Sequence, residues 1–200
     1  MSIPGRISVV NVNFIIMNKI YYFTPYSLSR NIGEAYNEYM EMIKDPNDFA
    51  CFIDGDTRFC YSLFGHQIQG VINDNPDLEY ATCKTNRVYC SWQLVKNAWD
   101  LDEADKHNVL AAELWAAHKT EISDKTNKDL MSGVMILLKK SAWLKYGRFR
   151  DGMLGVDNDY HQRVKNKGGK LYLMEGIYLY HWYRGGVRSN KNHLLDPAGF

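Results

Sequence analysis

The stretch Ala50-Cys51-Phe52-Ile53-Asp54-Gly55-Asp56-Thr57 decides the fold class. An apolar run too short for a typical helix and closed by Asp-Gly predicts a buried strand that ends at a turn. Two carboxylates, Asp54 and Asp56, then stand at the C-terminal edge of that strand with Gly55 between them. Open α/β sheets bind their ligands at this edge. Paired oxygen ligands suit a hard divalent cation, Mn²⁺ or Mg²⁺, which in turn clamps a diphosphate. Asp and Gly are also common turn residues, so the tripeptide alone reads equally well as a bland strand-to-loop connection.

Composition narrows the class. Two hundred residues, 46% hydrophobic and 24% charged, match one soluble domain with a real core. Lys and Arg total 24 against 23 Asp and Glu, so the chain lacks the basic field that nucleic-acid binding uses, and no nucleic-acid partner is expected. The spacing of Cys51, Cys60, Cys83 and Cys90 matches no zinc pattern and contains no Cys-x-x-Cys; the expectation is buried free thiols and a cytoplasmic location. Ile7 to Ile16, interrupted by Asn11 and Asn13, is too short and too polar to span a bilayer and lacks a cleavage site, so neither a transmembrane segment nor a signal peptide is expected. Met17-Asn18-Lys19-Ile20 reads like a natural chain start. Residues 1–16 are therefore taken as an N-terminal extension, 17–188 as the core domain and 189–200 as a C-terminal tail.

Along the chain, strands and helices alternate. Lys19 to Thr24 is a strand that stops at Pro25. Asn31 caps a helix in which Ile32, Ala35, Tyr36, Tyr39, Met40 and Ile43 recur at helical spacing before Pro46. Phe59 to Ile72 looks helical, Asp74 to Asp77 is a turn, and Glu79 to Cys83 a strand. Asp102 to Lys119 is the clearest helix, with Leu110, Leu114 and Ala117 on one stripe and Asp102, Glu103 and Asp105 in the first turn, where they favour the helix dipole. Met131 to Leu138 reads as a strand, Asp157 to Lys167 as a helix, and Lys170 to Met174 and Ile177 to His181 as two more strands. The alternation implies a single Rossmann-like α/β domain with a mixed, mostly parallel sheet and helices on both faces. In the loop Lys84 to Asp100, Tyr89, Trp92 and Trp99 can stack on a sugar or pack in the core. The loop Thr120 to Asp129 carries no readable code.

Two further features carry chemistry. In Gly152-Met153-Leu154-Gly155-Val156-Asp157-Asn158-Asp159, glycines precede acids at a helix start. The dipole there favours ionised Asp157, which reads either as a general base facing a cleft or as a simple N-cap. His181, at a strand end among Tyr180, Trp182 and Tyr183, is either a packed residue or a third ligand beside the two aspartates, better suited to Mn²⁺ than to Mg²⁺. Trp182 and Tyr183 are core or a stacking surface for a sugar face.

The order of these pieces resembles the family 2 glycosyltransferases and their relatives with the GT-A fold. The resemblance covers residues 19 to 185. It rests on the strand into Asp54-Gly55-Asp56, on Ser132-Gly133-Val134-Met135 with Trp143-Leu144-Lys145-Tyr146-Gly147-Arg148-Phe149, on Gly155-Val156-Asp157-Asn158-Asp159, and on His181. It implies that Asp54 and Asp56, with Gly55 between them, hold a metal and the donor diphosphate, that Asp157 is the base of an inverting transfer, and that His181 completes the metal site. Arg30-Asn31-Ile32-Gly33 resembles the family's Arg-Asn-x-Gly segment near the nucleotide, and Thr24, Pro25 and Tyr26 fall where the first strand meets the base.

The implied activity is metal-dependent hexosyl transfer from a nucleotide-sugar donor, a UDP-sugar first, to a hydroxyl of a saccharide or another acceptor. Arg184 and Arg188 either add charge to the diphosphate or belong to a solvated tail. Two departures stand out: Val156 replaces the usual glutamate of the acidic motif, and the span from Thr24 to Asp54 omits a strand and helix that the family usually has. The second keeps open a non-catalytic GT-A-like module that binds a nucleotide or a partner. A haloacid-dehalogenase phosphatase is disfavoured, since Arg58 stands where its motif needs Thr and Thr57 comes one place early. A nucleotidyltransferase is disfavoured because no Gly-rich phosphate loop follows the first strand.

Overall fold

A computed structural model describes residues 18–101 and 103–182. The extension 1–16, Asp102, Tyr183, Arg184, Arg188 and the tail 189–200 lie outside the described residues. In chain order the elements are β1 (Ile20–Phe23), α1 (Ile32–Met42), β2 (Phe49–Ile53), β3 (Thr57–Phe59), α2 (Phe64–Asp74), β4 (Tyr80–Thr85), α3 (Ala104–His118), β5 (Ile122–Asp124), β6 (Met135–Lys139), α4 (Lys140–Tyr146), α5 (Val156–Asn166) and β7 (Tyr172–His181). The seven strands form one sheet in the order β1-β2-β6-β4-β7-β3, with β5 paired to β7.

Alternation along the central strands divides the core into two layers. Ala50 and Phe52 of β2, with Ile136 and Leu138 of β6, face Tyr36, Met40, Trp143, Tyr160 and Val164 of α1, α4 and α5. Phe49 and Cys51, with Met135 and Leu137, face Ile68, Val71 and Ile72 of α2, and Trp115 of α3 packs against that layer. Helices therefore cover both faces of a mixed sheet, as the alternating pattern predicts. All four cysteines are buried and free. Among the described residues no helix is long and apolar enough to cross a membrane.

The expectation of a mostly parallel sheet is overturned. Among the named strands of the described residues, only β1–β2 and β4–β7 pair in parallel, whereas β2–β6, β4–β6, β3–β7 and β5–β7 are antiparallel. The reason lies in β6. A continuous apolar run ordinarily marks a parallel strand covered on both faces, but helices cover both faces here whichever way the strand runs, and β6 runs against both neighbours.

Other boundaries move for local reasons. Phe59 is extended in β3 rather than helical, and its ring stacks on Phe64, the first residue of α2, with centroids 4.0 Å apart. The strand expected from Met131 starts only at Met135, because the N–H groups of Met131, Ser132 and Gly133 donate to the side chains of Asn158, Gln93 and Asp157 instead of to a ladder. The two expected C-terminal strands form one, β7, whose register against β4 shifts between Cys83 and Lys84, where Met174 is followed as partner by Tyr178. The inward stripe of α3 is His107 and Ala111 rather than one that includes the exposed Ala117. The helix α4 and the short strands β3 and β5 carry no periodic signal of their own.

At the start of α1, Asn31 behaves as the sequence predicts. Its Oδ1 accepts the Glu34 N–H at 3.2 Å while its Nδ2 donates to Glu34 Oε2 at 3.1 Å, a reciprocal cap. The same Oδ1 accepts the Gly152 N–H at 2.9 Å, and the Gly33 N–H donates to the Gly152 carbonyl at 3.2 Å. These bonds tie the start of α1 to the loop that launches α5. The approach is so close that a Cβ on Gly33 would lie 1.8 Å from the Arg150 carbonyl oxygen. Gly33→Ala must therefore force backbone apart, and urea denaturation is expected to show a loss of about 1–3 kcal/mol. An unchanged midpoint would refute the docking of α1 on this loop.

Candidate functional site

Backbone bonding carries the apolar run past the end of β2 into the acidic turn. The Asp54 N–H donates to the Val134 carbonyl at 3.2 Å, which continues the β2–β6 ladder by one residue. The Asp54 carbonyl then accepts both the N–H of Thr57, at 3.2 Å, and its Oγ1 hydroxyl, at 2.6 Å, and this closes a turn around Gly55 and Asp56. Beyond the turn, β3 pairs with the end of β7, so that Thr57 stands opposite His181. The Trp182 N–H adds a bond to the Asp56 carbonyl at 2.8 Å. Through this pairing, ligand atoms of Asp54, Asp56 and His181 all lie within 4.8 Å of one another.

The imidazole is held from behind. Its Nδ1–H donates to the Arg87 carbonyl at 2.6 Å, and the His181 N–H donates to Asn86 Oδ1 at 2.8 Å. With Nδ1 committed, Nε2 is the nitrogen turned to the carboxylates, and it lies 3.2 Å from Asp56 Oδ1. A backbone carbonyl that fixes the far nitrogen of a histidine is the usual support of a metal ligand. The reading of His181 as a merely packed residue gives way to one in which it faces two acids.

The charges in this cluster shift one another. Burial, opposed by the charge of His181 and reinforced by Asp56 and Asp157, pushes the Asp54 carboxyl up to about 7. Burial pulls His181 down, but the hydrogen bond and charge of Asp56, the charge of Asp54 and the Arg87 carbonyl outweigh it, and the imidazole titrates above its ordinary value. A divalent cation would relieve the crowding of Asp54 by Asp56 and would take the place of the Nε2 proton. Two carboxylates and one imidazole suit Mn²⁺, and Mg²⁺ with added water.

Asp157 lies in the first turn of α5, and the N-cap of that helix is Gly155, in the left-handed region with φ 72°. The N-cap reading of Asp157 is thereby overturned. Its Oδ2 accepts the Gly133 N–H at 2.7 Å and its Oδ1 the Asn158 N–H at 2.9 Å, so the carboxylate joins α5 to the segment entering β6. Burial raises its titration, and these two N–H groups and the charge of Arg150 only partly offset the rise. Gly133 has little room for a side chain, since a Cβ there would lie 3.0 Å from Asp157 Cβ. Asp159, two residues on, is committed to ion pairs with Arg163 and, at 3.8 Å, Arg150.

The remaining expected site residues scatter. Thr24 packs beside the acidic turn, its Cγ2 3.6 Å from where a Cβ on Gly55 would be. Pro25 is half-buried, whereas Tyr26 and Arg30 lie on the exposed loop from Thr24 into α1, Arg30 with a positive φ of 58°. Trp92 is half-buried against the core and donates Nε1–H to the Leu130 carbonyl at 3.0 Å, Trp99 is half-buried, and Tyr89 is exposed. Trp182 is exposed, on a cavity of about 340 Å³ that Asp56 also lines.

Among the supporting residues, Asn86 and Arg87 had no sequence signal, and Gly133 stood only in a quoted segment with nothing to tie it to Asp157. They act through a side-chain amide, a main-chain carbonyl and the absence of a Cβ, and only strand pairing brings each to the site.

No protein-family model matches the sequence, and no curated protein matches it.

The titrations fix the sign of two effects. Asp54 and His181 both carry protons toward lower pH, and a cation must displace them, so apparent Mn²⁺ affinity measured by calorimetry should fall steadily from about pH 8 to about pH 6. A flat profile would count against this ligand set. Since the folded Asp54 carboxyl titrates above its unfolded value, its cost to the fold is absent in acid, grows as pH rises between the two values and is full above about 7. Asp54→Asn should therefore raise the melting temperature of the metal-free protein at pH 8 more than at pH 5, while abolishing Mn²⁺ binding.

Proposed function

We propose that this chain is a metal-dependent glycosyltransferase of the GT-A type that moves a sugar from a nucleotide-sugar donor to a hydroxyl acceptor with inversion. One observation carries the reading. A cluster of metal-ligand type, Asp54, Asp56 and His181, stands near a further carboxylate, Asp157, which accepts the Gly133 N–H while the next residue, Val134, accepts the Asp54 N–H. Phosphate coordination and proton removal are the two tasks of such a transfer, and here they would fall to separate groups. The order of the motifs, with Thr24 against Gly55, supports the same reading.

In this mechanism Asp54, Asp56 and the Nε2 of His181 would hold the cation, Mn²⁺ or Mg²⁺. When bound, it would neutralise charge on the departing diphosphate. Asp157 would accept the proton of the acceptor hydroxyl as its oxygen attacks the anomeric carbon. Burial keeps its titration above the ordinary carboxylate value, closer to the working pH of a general base. The N–H and Nδ2 of Asn158 both donate to Oδ1 and the Gly133 N–H to Oδ2, which holds the carboxylate in place and leaves Oδ2 a further lone pair. Thr24, Pro25, Tyr26 and Arg30 would line the nucleotide side, with UDP the first base to test, and the protein would work in the cytoplasm.

A second reading has one observation of its own. Because both oxygens of Asp157 accept backbone N–H groups, the residue also serves to anchor α5 to β6, which a nucleotide- or partner-binding module without turnover would need as well.

Calorimetric titration of UDP and of GDP, with and without Mn²⁺, should show metal-dependent binding of one nucleotide that Asp56→Ala removes. Asp157→Asn should abolish transfer, a fall of at least about 100-fold, while keeping that binding. Full turnover in Asp157→Asn would refute the assigned base; binding without turnover in the unaltered protein would favour the module.

A further inference from the structure

The cavity of about 340 Å³ beside the acidic cluster is lined by Asp56, Thr57, Arg58, Ala104, Tyr180 and Trp182. It lies along β3, the last strand in the sheet order that starts at β1. Its volume suits a small ligand of one or two rings. Trp182 is 52% exposed although it stands directly after His181, and its ring meets Tyr180 edge-on at 6.4 Å between centroids. This leaves an aromatic surface facing solvent next to the chemistry.

The cavity also contains a cation with donors to spare. Arg58 is held through Nη2, which donates to Asn108 Oδ1 at 3.3 Å and to the Ala104 carbonyl at 3.5 Å, and approaches Cys60 Sγ at 3.9 Å. Its Nη1 and Nε have no acceptor among the described residues. These bonds fix the guanidinium on one wall, leaving two donors for an oxyanion. Asp56, the acid of the lining, is turned to His181 Nε2.

We propose that this cavity is the acceptor subsite and that it selects an anionic sugar, one that carries a carboxylate or a phosphate, with a ring face against Trp182 and the charged group on Arg58. The inference rests on the glycosyltransferase reading, since the cavity shares Asp56 with the candidate metal centre. A neutral sugar would leave the guanidinium donors unused, and an apolar ligand would bury them without partners.

Ligand-observed NMR titrations in the presence of UDP and Mg²⁺ test it with three probes: methyl β-glucuronide, glucose 6-phosphate and methyl β-glucoside. One of the two anionic probes should bind about tenfold or more tightly than the neutral one, and which of them does so identifies the charged group. Arg58→Gln should erase the preference, and Trp182→Ala should weaken all binding, while metal-dependent UDP binding stays unchanged in both. Equal binding of the three probes, binding of none while UDP still binds, or competition between UDP and the anionic sugar would overturn the proposal. Anionic-sugar binding that depends on Arg58 in a protein that does not bind UDP would keep an anionic-sugar site and overturn the transferase reading beneath it.

Discussion

Three residue pairs between two short stretches of backbone, Thr57 to Phe59 against Leu179 to His181, hold the candidate centre together. Without that pairing, Asp54 and Asp56 would end a strand in the middle of the sheet and His181 would end another near its edge, with β6 and β4 between them. The Asp54 turn sends the chain back to the far edge as β3, and β3 sets His181 opposite Thr57. Everything proposed for the site follows from this register. A slip of one residue would turn the imidazole to the other face of the sheet.

Such a centre works against the fold that carries it. Burial and neighbouring acids make the ionised form of Asp54 costly, and the same acids raise the titration of His181. The surrounding structure absorbs the conflict with contacts of two kinds. Backbone groups from Asn158, Gly133 and Arg87 bond the charged side chains, while Gly33 lets elements approach too closely for a Cβ and Gly133 leaves little room for one. A cluster of crowded charges, supported from behind by fixed dipoles, is how binding sites for cations and anionic ligands are pre-arranged.

Much of this was legible along the chain. The run into Asp54 and Asp56, the Asn31 cap and the glycine-rich entry to α5 are local signals, and each element formed where its own residues placed it. The misreadings share one cause. Phe59 was read with the helix that runs on to Ile72, yet it pairs with Leu179, a residue far along the chain. Met131 to Val134 looked like strand, yet side chains from α5 and from the Ser91–Gln93 turn take the N–H groups of Met131 to Gly133. The direction of β6 left no trace in its composition, because a strand covered on both faces shows the same unbroken apolar pattern whichever way it runs.

Residue pattern alone was enough to establish an α/β chain with helices on both faces, two carboxylates at a strand end, an acid in the first turn of a helix and a histidine among aromatics. Hydrophobic period, turn chemistry and caps act over a few residues, so a linear reading can find them. Tertiary structure alone decided that these groups meet, that β6 runs antiparallel, and that Arg58, Tyr180 and Trp182 share a cavity with Asp56. Those outcomes depend on hydrogen-bond register between strands distant in the chain, a quantity that no local stretch of residues encodes.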